Sequence, residues 1–488
     1  MKTSSIKKTI LVILFWLAVW QIASMVVGRE LILPSPYRAF ESLVGLLATG
    51  SFYRDVATTI LRCIMGMALS FVTGLVTALL ANRFSVVRSL MSLPVLVFKA
   101  TPVLAIILIL LLSFRSNHVP VAVCFLMCFP VVYTNLLAGF DNIEREHIEL
   151  SKFYRLGMAD AVRFIYIPSV MPQISTTLNL IAGLSWKTVV AAEVLAAPNV
   201  SMGYNLFLSK VFLQSANLFA WLIAIIGLSL VFEKTIKYAI KKFLPKEYTK
   251  SKVLNSVQFE QMTLNQKNEA QAQVQQKTNE NLKTTANATE APDIQVTGLT
   301  KSFGEKVVFS DFSERFEGGK TTAVMAPSGY GKTTLLRIIA GLEKKDGGEI
   351  TGISNVPMSY LFQEDRLLPW LNVFDNIALF LKNRLPKDEI RTQTTHMLEI
   401  LELSQNAYEL PHELSGGMKH RVAIGRALSC PAQILLLDEP FKGLDAELKS
   451  RIIPKLCHEY INGKTVILIT HNKEDADKLS SNKMIIGS

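Results

Sequence analysis

The sequence has few cysteines and few charged residues for its length. Five cysteines occur among 488 residues, and charged residues make up 19% of the chain. The cysteines form no metal-ligand spacing with histidines, and nothing in their positions indicates a disulfide framework. Cys124 and Cys128 lie four residues apart in an apolar segment, so we interpret them as packing residues. A disulfide scaffold is therefore excluded as the basis of the fold.

Acidic residues are outnumbered by basic ones, which gives a formal net charge of +11. No basic stripe with interleaved aromatic residues occurs, so we predict no nucleic-acid partner. The surplus instead flanks apolar segments, as is typical of the cytoplasmic ends of membrane helices. These basic residues are Lys2, Lys7, Lys8, Arg83, Arg88, Lys234, Lys237, Lys241, Lys242 and Lys246.

Apolar residues make up 50% of the chain and are concentrated in its first half. Segments of about 20 apolar residues can span a bilayer. We predict six membrane helices, at about 9–28, 60–81, 92–113, 119–140, 174–197 and 216–240. An even number of membrane helices places both ends of the membrane domain on the same side of the bilayer. The lysines that flank the first and last helices mark this side as cytoplasmic. The first segment resembles a signal peptide, but it is long enough to span and lacks a convincing cleavage site, so we interpret it as an uncleaved helix.

The composition divides the chain into three parts. Residues 1–246 form the predicted all-α membrane domain, and 247–292 are rich in Gln, Asn, Thr, Glu and Lys. Such a segment cannot bury a core, so we predict a flexible polar linker. Residues 293–488 alternate short apolar strands with helices, which predicts an α/β domain.

A phosphate-binding loop is predicted at Ala326–Thr334, between an apolar strand and a helix. Gly329 and Gly331 allow the backbone amides to approach phosphate oxygens at a helix N-terminus. Lys332 brings a positive charge to the phosphates, and Thr333 can place its hydroxyl on Mg²⁺. Ala326 stands where this kind of loop usually begins with glycine. The pattern predicts a P-loop nucleotide-binding fold.

Two carboxylates follow the apolar strand Ile434–Leu437. Unpaired buried charge is costly, and Mg²⁺ would account for Asp438 at the strand end. Glu439 could then act as the general base on the attacking water. The alternative is a helix-capping Asp beside a solvated Glu.

The run Leu414–Met418 lies between the phosphate loop and this strand, an order that resembles the nucleotide-binding domain of ATP-binding cassette (ABC) transporters. The resemblance implies an ATP hydrolase with ATP and Mg²⁺ as cofactors. It implies ATP-binding residues Phe303, Ser328, Gly329, Gly331, Lys332, Thr333 and Thr334. It implies Mg²⁺ contacts at Thr333, Gln363 and Asp438, catalytic roles for Glu439, His471 and Gln363, and a D-loop role for Asp445. Phe303 as a surface-strand aromatic and His471 as a structural histidine are the alternatives.

The signature residues Ser415, Gly416 and Gly417 imply a partner as well as a reaction. In the family that this chain resembles, such a motif closes over ATP held by another copy's phosphate loop. Because the ATPase is fused to one six-helix block, we predict a homodimer with twelve membrane helices and two equivalent ATP sites.

The loop at about 141–172 resembles the cytoplasmic coupling (EAA) loop of ABC importer permeases. Glu149 and Pro168 fit that pattern, whereas Arg155 stands at its glycine position. The resemblance implies that the loop docks on the ATPase near Gln363. The alternative is a plain amphipathic loop between two helices.

Other stretches resemble permeases of nitrate, sulfonate and taurine type importers, among them Leu33–Pro36, Phe98–Val103 and Ala192–Leu195. The resemblance implies ATP-driven import of a small solute across the cytoplasmic (inner) membrane, with an extracytoplasmic solute-binding protein as partner. The ATPase domain would lie on the cytoplasmic face of a multi-pass protein in the lipid bilayer. An ABC exporter and a membrane-tethered regulatory ATPase are the alternatives, although the loops are short for an exporter. The transported small molecule cannot be read from the sequence.

Three charged residues fall at or near membrane depth: Lys99, Lys187 and Glu193. Charges there are costly and usually face a bundle interior or a water-filled path. If the solute is an anion, Lys99 or Lys187 could line its route. The alternative is snorkelling of these side chains to the membrane surface or pairing between helices.

Overall fold

The computed structural model describes residues 2–243, 291–327, 329–382 and 384–485. Two compact units are distinguished: residues 1–143 with 169–246, and residues 144–168 with 247–488. Most of the predicted linker, 247–290, lies outside the described residues, as does Ser328.

The first unit is helical. Its helices are α1 (Lys2–Val27), α2 (Pro36–Leu47), α3 (Gly50–Arg83), α4 (Ser85–Ala100), α5 (Val103–Ser113), α6 (Val119–Asp141), α9 (Ile167–Ala196), α10 (Met202–Val211) and α11 (Ser215–Phe243). In the described part of the chain, five helical segments are long and apolar enough to cross a membrane, and the α4–α5 pair could form a sixth.

The α4–α5 pair differs from the single helix predicted at 92–113. The two helices are bent by 106°. Thr101 is extended, with φ −81° and ψ 127°. A proline disfavours helical backbone in the residue before it and has no N–H to continue the ladder. Pro102 therefore accounts for the break.

Helices α3 and α6 pack closely through small residues. A Cβ at Gly66 would lie 2.5 Å from Cys124 Sγ, and one at Gly74 would lie 2.6 Å from Val132 Cγ1. Cys124 and Cys128 are free thiols without solvent exposure, in agreement with their interpretation as packing residues.

Glu193 forms an ion pair inside this unit. This agrees with the alternative in which it pairs between helices and does not line a solute route. Arg62 Nη1 donates to Glu193 Oε1 at 2.7 Å, and Arg62 Nη1 also donates to the Val200 carbonyl at 3.1 Å. Thr59 Oγ1 and the Gly203 amide donate to Glu193 Oε2 at 3.0 Å and 3.3 Å. No local pattern in the sequence indicates Arg62, which lies 131 residues from Glu193. This network joins α3, α9 and the start of α10.

We expect Glu193→Gln to destabilise the first unit by about 3–5 kcal/mol, because it leaves the Arg62 guanidinium buried without its counter-charge. Thermal unfolding of the purified protein measures the loss. The double variant Arg62→Met with Glu193→Met should recover most of it, since a well-packed apolar pair replaces the ion pair. A Glu193→Gln protein as stable as the wild type would contradict the structural role.

The second unit contains two sheets. An antiparallel sheet has the order β2-β1-β4, and a parallel sheet has the order β5-β6-β7-β3-β8. The strands are β1 (Ile294–Phe303), β2 (Lys306–Phe316), β3 (Thr321–Met325), β4 (Gly347–Thr351), β5 (Met358–Leu361), β6 (Ile434–Asp438), β7 (Thr465–Ile469) and β8 (Asn482–Ile485). The strands β6 and β7 are buried along their whole length, as expected for central parallel strands.

Helices cover this parallel sheet. They are α12 (Lys332–Ile339), α13 (Val373–Ala378), α14 (Lys387–Ile400), α15 (Gly416–Ser429), α16 (Ala446–Leu456) and α17 (Lys473–Leu479). Two further helices come from the loop between α6 and α9: α7 (Arg145–Phe153) and α8 (Met158–Ala161), the latter followed by a π-helical turn at Val162–Tyr166. Leu150, Tyr154, Phe164 and Ile165 of this loop belong to the same buried apolar cluster as the strands. The loop is thus part of the core of the second unit.

Candidate functional site

The phosphate loop joins β3 to α12. Gly331 caps α12 with φ 83°, and a Cβ there would lie 2.4 Å from Val308 Cγ1. Only glycine fits this left-handed, crowded position. Lys332 Nζ donates to the carbonyls of Ala326 and Pro327 at 2.6 Å and 2.9 Å. Ala326 is not among the described residues with a positive φ, so its methyl group meets no left-handed backbone strain.

Thr333 and Asp438 meet across the sheet edge. Thr333 Oγ1 donates to Asp438 Oδ2 at 2.7 Å. Burial raises the pKa of Asp438 to about 6; the hydrogen bond from Thr333 opposes this rise, and the nearby Glu439 adds to it. A buried carboxylate of this kind favours a cation beside it.

The donor atoms fit a magnesium ion that is shared with a phosphate ligand. The described residues hold no group of three or more His, Cys, Asp or Glu side chains suited to a metal. Mg²⁺ usually binds one or two protein oxygens and takes its other ligands from phosphates and water. The Thr333 hydroxyl and the Asp438 carboxylate are two such oxygens. Gln363 is exposed, and no hydrogen bond joins it to either of them within the described ranges.

Glu439 combines backbone strain with an unsatisfied oxygen. Its φ is 52°, a conformation that is rare for residues other than glycine, and its amide donates to the Ile469 carbonyl at 2.9 Å. Its Oε1 lies 3.1 Å from His471 Nδ1. Its Oε2 is buried without a hydrogen-bond partner in the described part of the chain, and Lys442 Nζ lies 3.5 Å from it. Strain and unpaired polar atoms cluster at functional sites. A cavity of about 200 Å³ opens beside Glu439 and His471.

The remaining predicted residues lie at surface positions. Phe303 ends β1 with 49% of its surface exposed, and Lys301 Nζ lies 4.6 Å from its ring centroid. Ser415 caps the signature helix α15 by accepting from the Met418 amide, and Gly416 is exposed at its start. Asp445 caps α16 by accepting from the Leu448 amide at 2.7 Å. Thr334 lies in the first turn of α12.

Glu149 lies between two arginines of the nucleotide-binding segments. Its carboxylate accepts from Arg337 Nη2 and Nη1 at 2.9 Å and 3.1 Å, and from Arg366 Nη1 at 3.0 Å. Arg337 lies on α12, and Arg366 follows Gln363 by three residues. Burial alone would raise the pKa of Glu149, but the bonds from both guanidinium groups bring it below its usual value. Bidentate, charge-assisted bonds of this kind are strong and geometrically specific.

Arg155 closes the α7 helix in a left-handed conformation. Its φ is 53°. The Leu156 amide donates to the Ser151 carbonyl, and the Arg155 amide donates to the Lys152 carbonyl. These two bonds form a Schellman motif, whose left-handed position usually carries glycine. Arg155 thus occupies a left-handed position that favours glycine, the residue that the resembled pattern has there.

Pro168 explains another contact of this loop. A helical residue 168 would donate to the Phe164 carbonyl, but proline has no N–H. Trp370 Nε1 donates to that carbonyl at 2.7 Å. The proline therefore leaves an acceptor available to a tryptophan of the α/β domain.

Sequence reasoning missed most of the residues that hold the loop. Tyr154 is buried, and its hydroxyl donates to the Tyr360 carbonyl at 3.1 Å. Lys382 pairs with Asp160. These residues are recognisable only once distant segments meet.

Two protein families match the chain. Residues 70–240 match the family described as binding-protein-dependent transport system inner membrane component. Residues 309–442 match the family described as ABC transporter.

Similar curated proteins match the α/β domain. The sulfate/thiosulfate import ATP-binding protein CysA of Escherichia coli (strain K12) is 39% identical over 210 residues, which cover 40% of this chain and 57% of that protein. The spermidine/putrescine import ATP-binding protein PotA of Pasteurella multocida is 34% identical over 206 residues, or 40% of this chain and 56% of that protein. The chain thus spans less than two thirds of the length of these relatives. A solved dimeric bacterial ABC transporter cassette is 29% identical, covering 39% of this chain and 93% of its own, with a TM-score of 0.36.

We expect Asp438→Asn to stabilise the nucleotide-free protein at about pH 7.5 by about 1–3 kcal/mol. The pKa of this acid is raised in the folded state, so its contribution to stability is present below the unfolded pKa and is lost as pH rises through about 6. The amide can still accept from Thr333 and carries no charge. Thermal unfolding at about pH 5 and about pH 7.5 measures the effect, which should be smaller at the lower pH. A lower unfolding temperature for the variant at the higher pH would contradict this account.

Proposed function

Because this chain joins a binding-protein-dependent permease domain to an ABC transporter ATPase domain, we propose that it couples ATP hydrolysis to the import of a small solute. The single observation that carries this proposal is the position of Glu149. One carboxylate from the permease segment of the sequence binds the phosphate-loop helix and the segment after Gln363 together. A change at the nucleotide would reach the loop through both contacts.

The proposed hydrolysis site uses residues of the α/β domain. The amides of the phosphate loop and Lys332 bind the phosphates of ATP. Thr333 and Asp438 would hold Mg²⁺, with Gln363 as a further contact, and the ion would neutralise developing charge on the phosphates. Glu439 accepts the proton of the attacking water. Its Oε2, which has no hydrogen-bond partner within the described ranges and lies 3.5 Å from Lys442 Nζ, is the acceptor. His471 orients Glu439 and contacts the γ-phosphate.

The proposed assembly is a homodimer. Ser415 and Gly416 are exposed at the N-terminus of α15, where backbone amides and the helix dipole favour an anion. In a dimer, this signature would bind the ATP held by the partner's phosphate loop. Both sites would then be equivalent because both chains are the same.

The proposed location is the cytoplasmic membrane, with the ATPase domain on the cytoplasmic face. The lysine-rich end of α11 supports this orientation. An extracytoplasmic solute-binding protein would deliver the cargo, as the match of residues 70–240 to its family of permeases supports.

The cargo that we propose is a small anion of the nitrate, sulfonate or taurine type. The relatives of the ATPase domain are named for both an anion, sulfate, and a polycation, spermidine, so that domain does not select the cargo. Lys187 is exposed on α9, and Lys99 Nζ donates to Thr134 Oγ1 at 3.3 Å. These two lysines are the cations that we propose for an anionic route, whereas Glu193 is held by Arg62.

The function is tested in vesicles that contain the protein, with ATP on the ATPase side and a binding protein with its labelled anion on the other. We expect transport of the anion toward the ATPase side, and this transport should require both ATP and the binding protein. Glu439→Gln should lower kcat for ATP hydrolysis by about 10²–10⁴-fold and abolish uptake while ATP still binds. Hydrolysis without transport would favour a regulatory ATPase, and near-normal turnover of the variant would refute the role of Glu439 as the base.

The coupling role is tested with Glu149→Ala. Uptake should fall about tenfold or more, because charge-assisted bonds to two arginines are lost, whereas basal ATP hydrolysis should change much less. Glu144→Ala is the matched control, since Glu144 pairs with His147 in its own segment. Equal effects of the two variants on uptake would contradict the proposed coupling.

A further inference from the structure

His420 lies on the signature helix α15 between two oxygen atoms from distant segments. It is 7% exposed. Its Nδ1 lies 2.8 Å from Asp365 Oδ1, and its Nε2 lies 2.9 Å from the Pro440 carbonyl oxygen. Asp365 follows Gln363 by two residues, and Pro440 follows the proposed base Glu439.

The two contacts require two donors on one ring. A carboxylate and a backbone carbonyl oxygen only accept hydrogen bonds, and a neutral imidazole carries a single N–H. Both bonds therefore form only when the imidazole carries a proton on each nitrogen. With one proton fewer, two lone pairs face each other at one of the contacts.

The Asp365 contact belongs to a larger attachment of α15. Arg426 of the same helix donates to the carbonyls of Asp365 and Arg366, both at 2.8 Å. Arg366 in turn binds Glu149. His420 thus adds a proton-dependent bond to a segment that Arg426 holds at every physiological pH.

The Pro440 contact bears on the base itself. Glu439 has a left-handed backbone, with φ 52°. Such a conformation persists only where surrounding contacts impose it. On one side the Glu439 amide is bound to the Ile469 carbonyl at 2.9 Å. On the other side, the next carbonyl is bound by His420.

We propose that His420 is a positioning residue for ATP hydrolysis, which in its doubly protonated form fastens the signature helix to Asp365 and to the carbonyl beside Glu439. The inference rests on the proposed ATPase function. Loss of the second proton as pH rises releases one bond, and Glu439 is then held less firmly. The consequence is a fall in kcat with rising pH, with little change in KM for ATP.

The effects of the other charged residues on the elements that meet at His420 must be separated from its own. These residues come from α15, from the segment after Gln363 and from the segment after β6: Lys419, Arg421, Arg426, Glu364, Asp365, Arg366, Glu439 and Lys442. His471 contacts Glu439. It remains in every variant below, so its effect on kcat is common to all of them.

Two conservative variants give opposite expectations. His420→Gln keeps one donor without a titrating ring, so its kcat should be about tenfold lower than that of the wild type at about pH 6. The fall in kcat with rising pH that depends on His420 should be absent from this variant. Asp365→Asn supplies an amide N–H that can donate to Nδ1, so a neutral imidazole satisfies both contacts. This variant should keep its kcat up to about pH 8.5, a pH at which wild-type kcat has fallen several-fold.

The measurement is kcat and KM for ATP from about pH 6 to about pH 8.5, the range in which histidines titrate. His396→Gln is the matched control, because His396 pairs with Glu459 at 2.6 Å on the surface. It should follow the wild-type profile. The same pH dependence in the wild type and Asp365→Asn would overturn the proposal, as would an effect of His420→Gln on KM alone.

A second readout does not depend on activity. The unfolding temperature of the nucleotide-free protein should fall from about pH 6 to about pH 8.5 by more in the wild type than in Asp365→Asn. Equal falls would overturn the role of the His420 proton. Absence of ATP hydrolysis in the wild type would instead refute the proposed function. The unfolding comparison would still show whether the bond between His420 and Asp365 depends on the second proton of the ring.

Discussion

Glu149 accepts hydrogen bonds from Arg337 and Arg366, and this carboxylate anchors the loop 144–168 to the rest of the second unit. Arg337 projects from the helix that begins at the phosphate loop, and Arg366 follows Gln363. The buried side chains of Leu150 and Tyr154 continue the contact into the apolar core. The loop 144–168 therefore shares a core with the strands of the α/β unit.

Strained or buried polar groups lie where these segments meet. Glu439, Arg366 and Arg155 have left-handed backbones, with φ of 52°, 48° and 53°. Each is held by hydrogen bonds from other segments or from its own helix end. Asp438 is buried with a raised pKa, which opposes stability at neutral pH. These features lower stability, and strain of this kind persists mainly at functional sites.

The features that could be predicted from the sequence are those that depend on residues close together along the chain. The fusion of an all-α permease domain with an α/β ATPase domain is confirmed, because apolar segments and the phosphate loop are local patterns. The pairing of Arg62 with Glu193 and the contacts of His420 join residues far apart in sequence, and no local pattern reports them. Pro102 is a local signal for the bend at Thr101. The apolar run at 92–113 nevertheless led to the prediction of a single helix. The catalytic and coupling roles remain predictions.

The most direct test of this account is hydrogen exchange of the amides in α7 in the intact protein in a bilayer. A loop that forms part of the core of the α/β unit exchanges slowly, because opening it requires the loss of buried contacts. The account predicts that amides of residues 150–154 are protected nearly as strongly as those of β6 and β7. Glu149→Ala should accelerate their exchange without affecting the strands. Exchange of these amides at the rate of an unprotected loop in the wild-type protein would contradict the account.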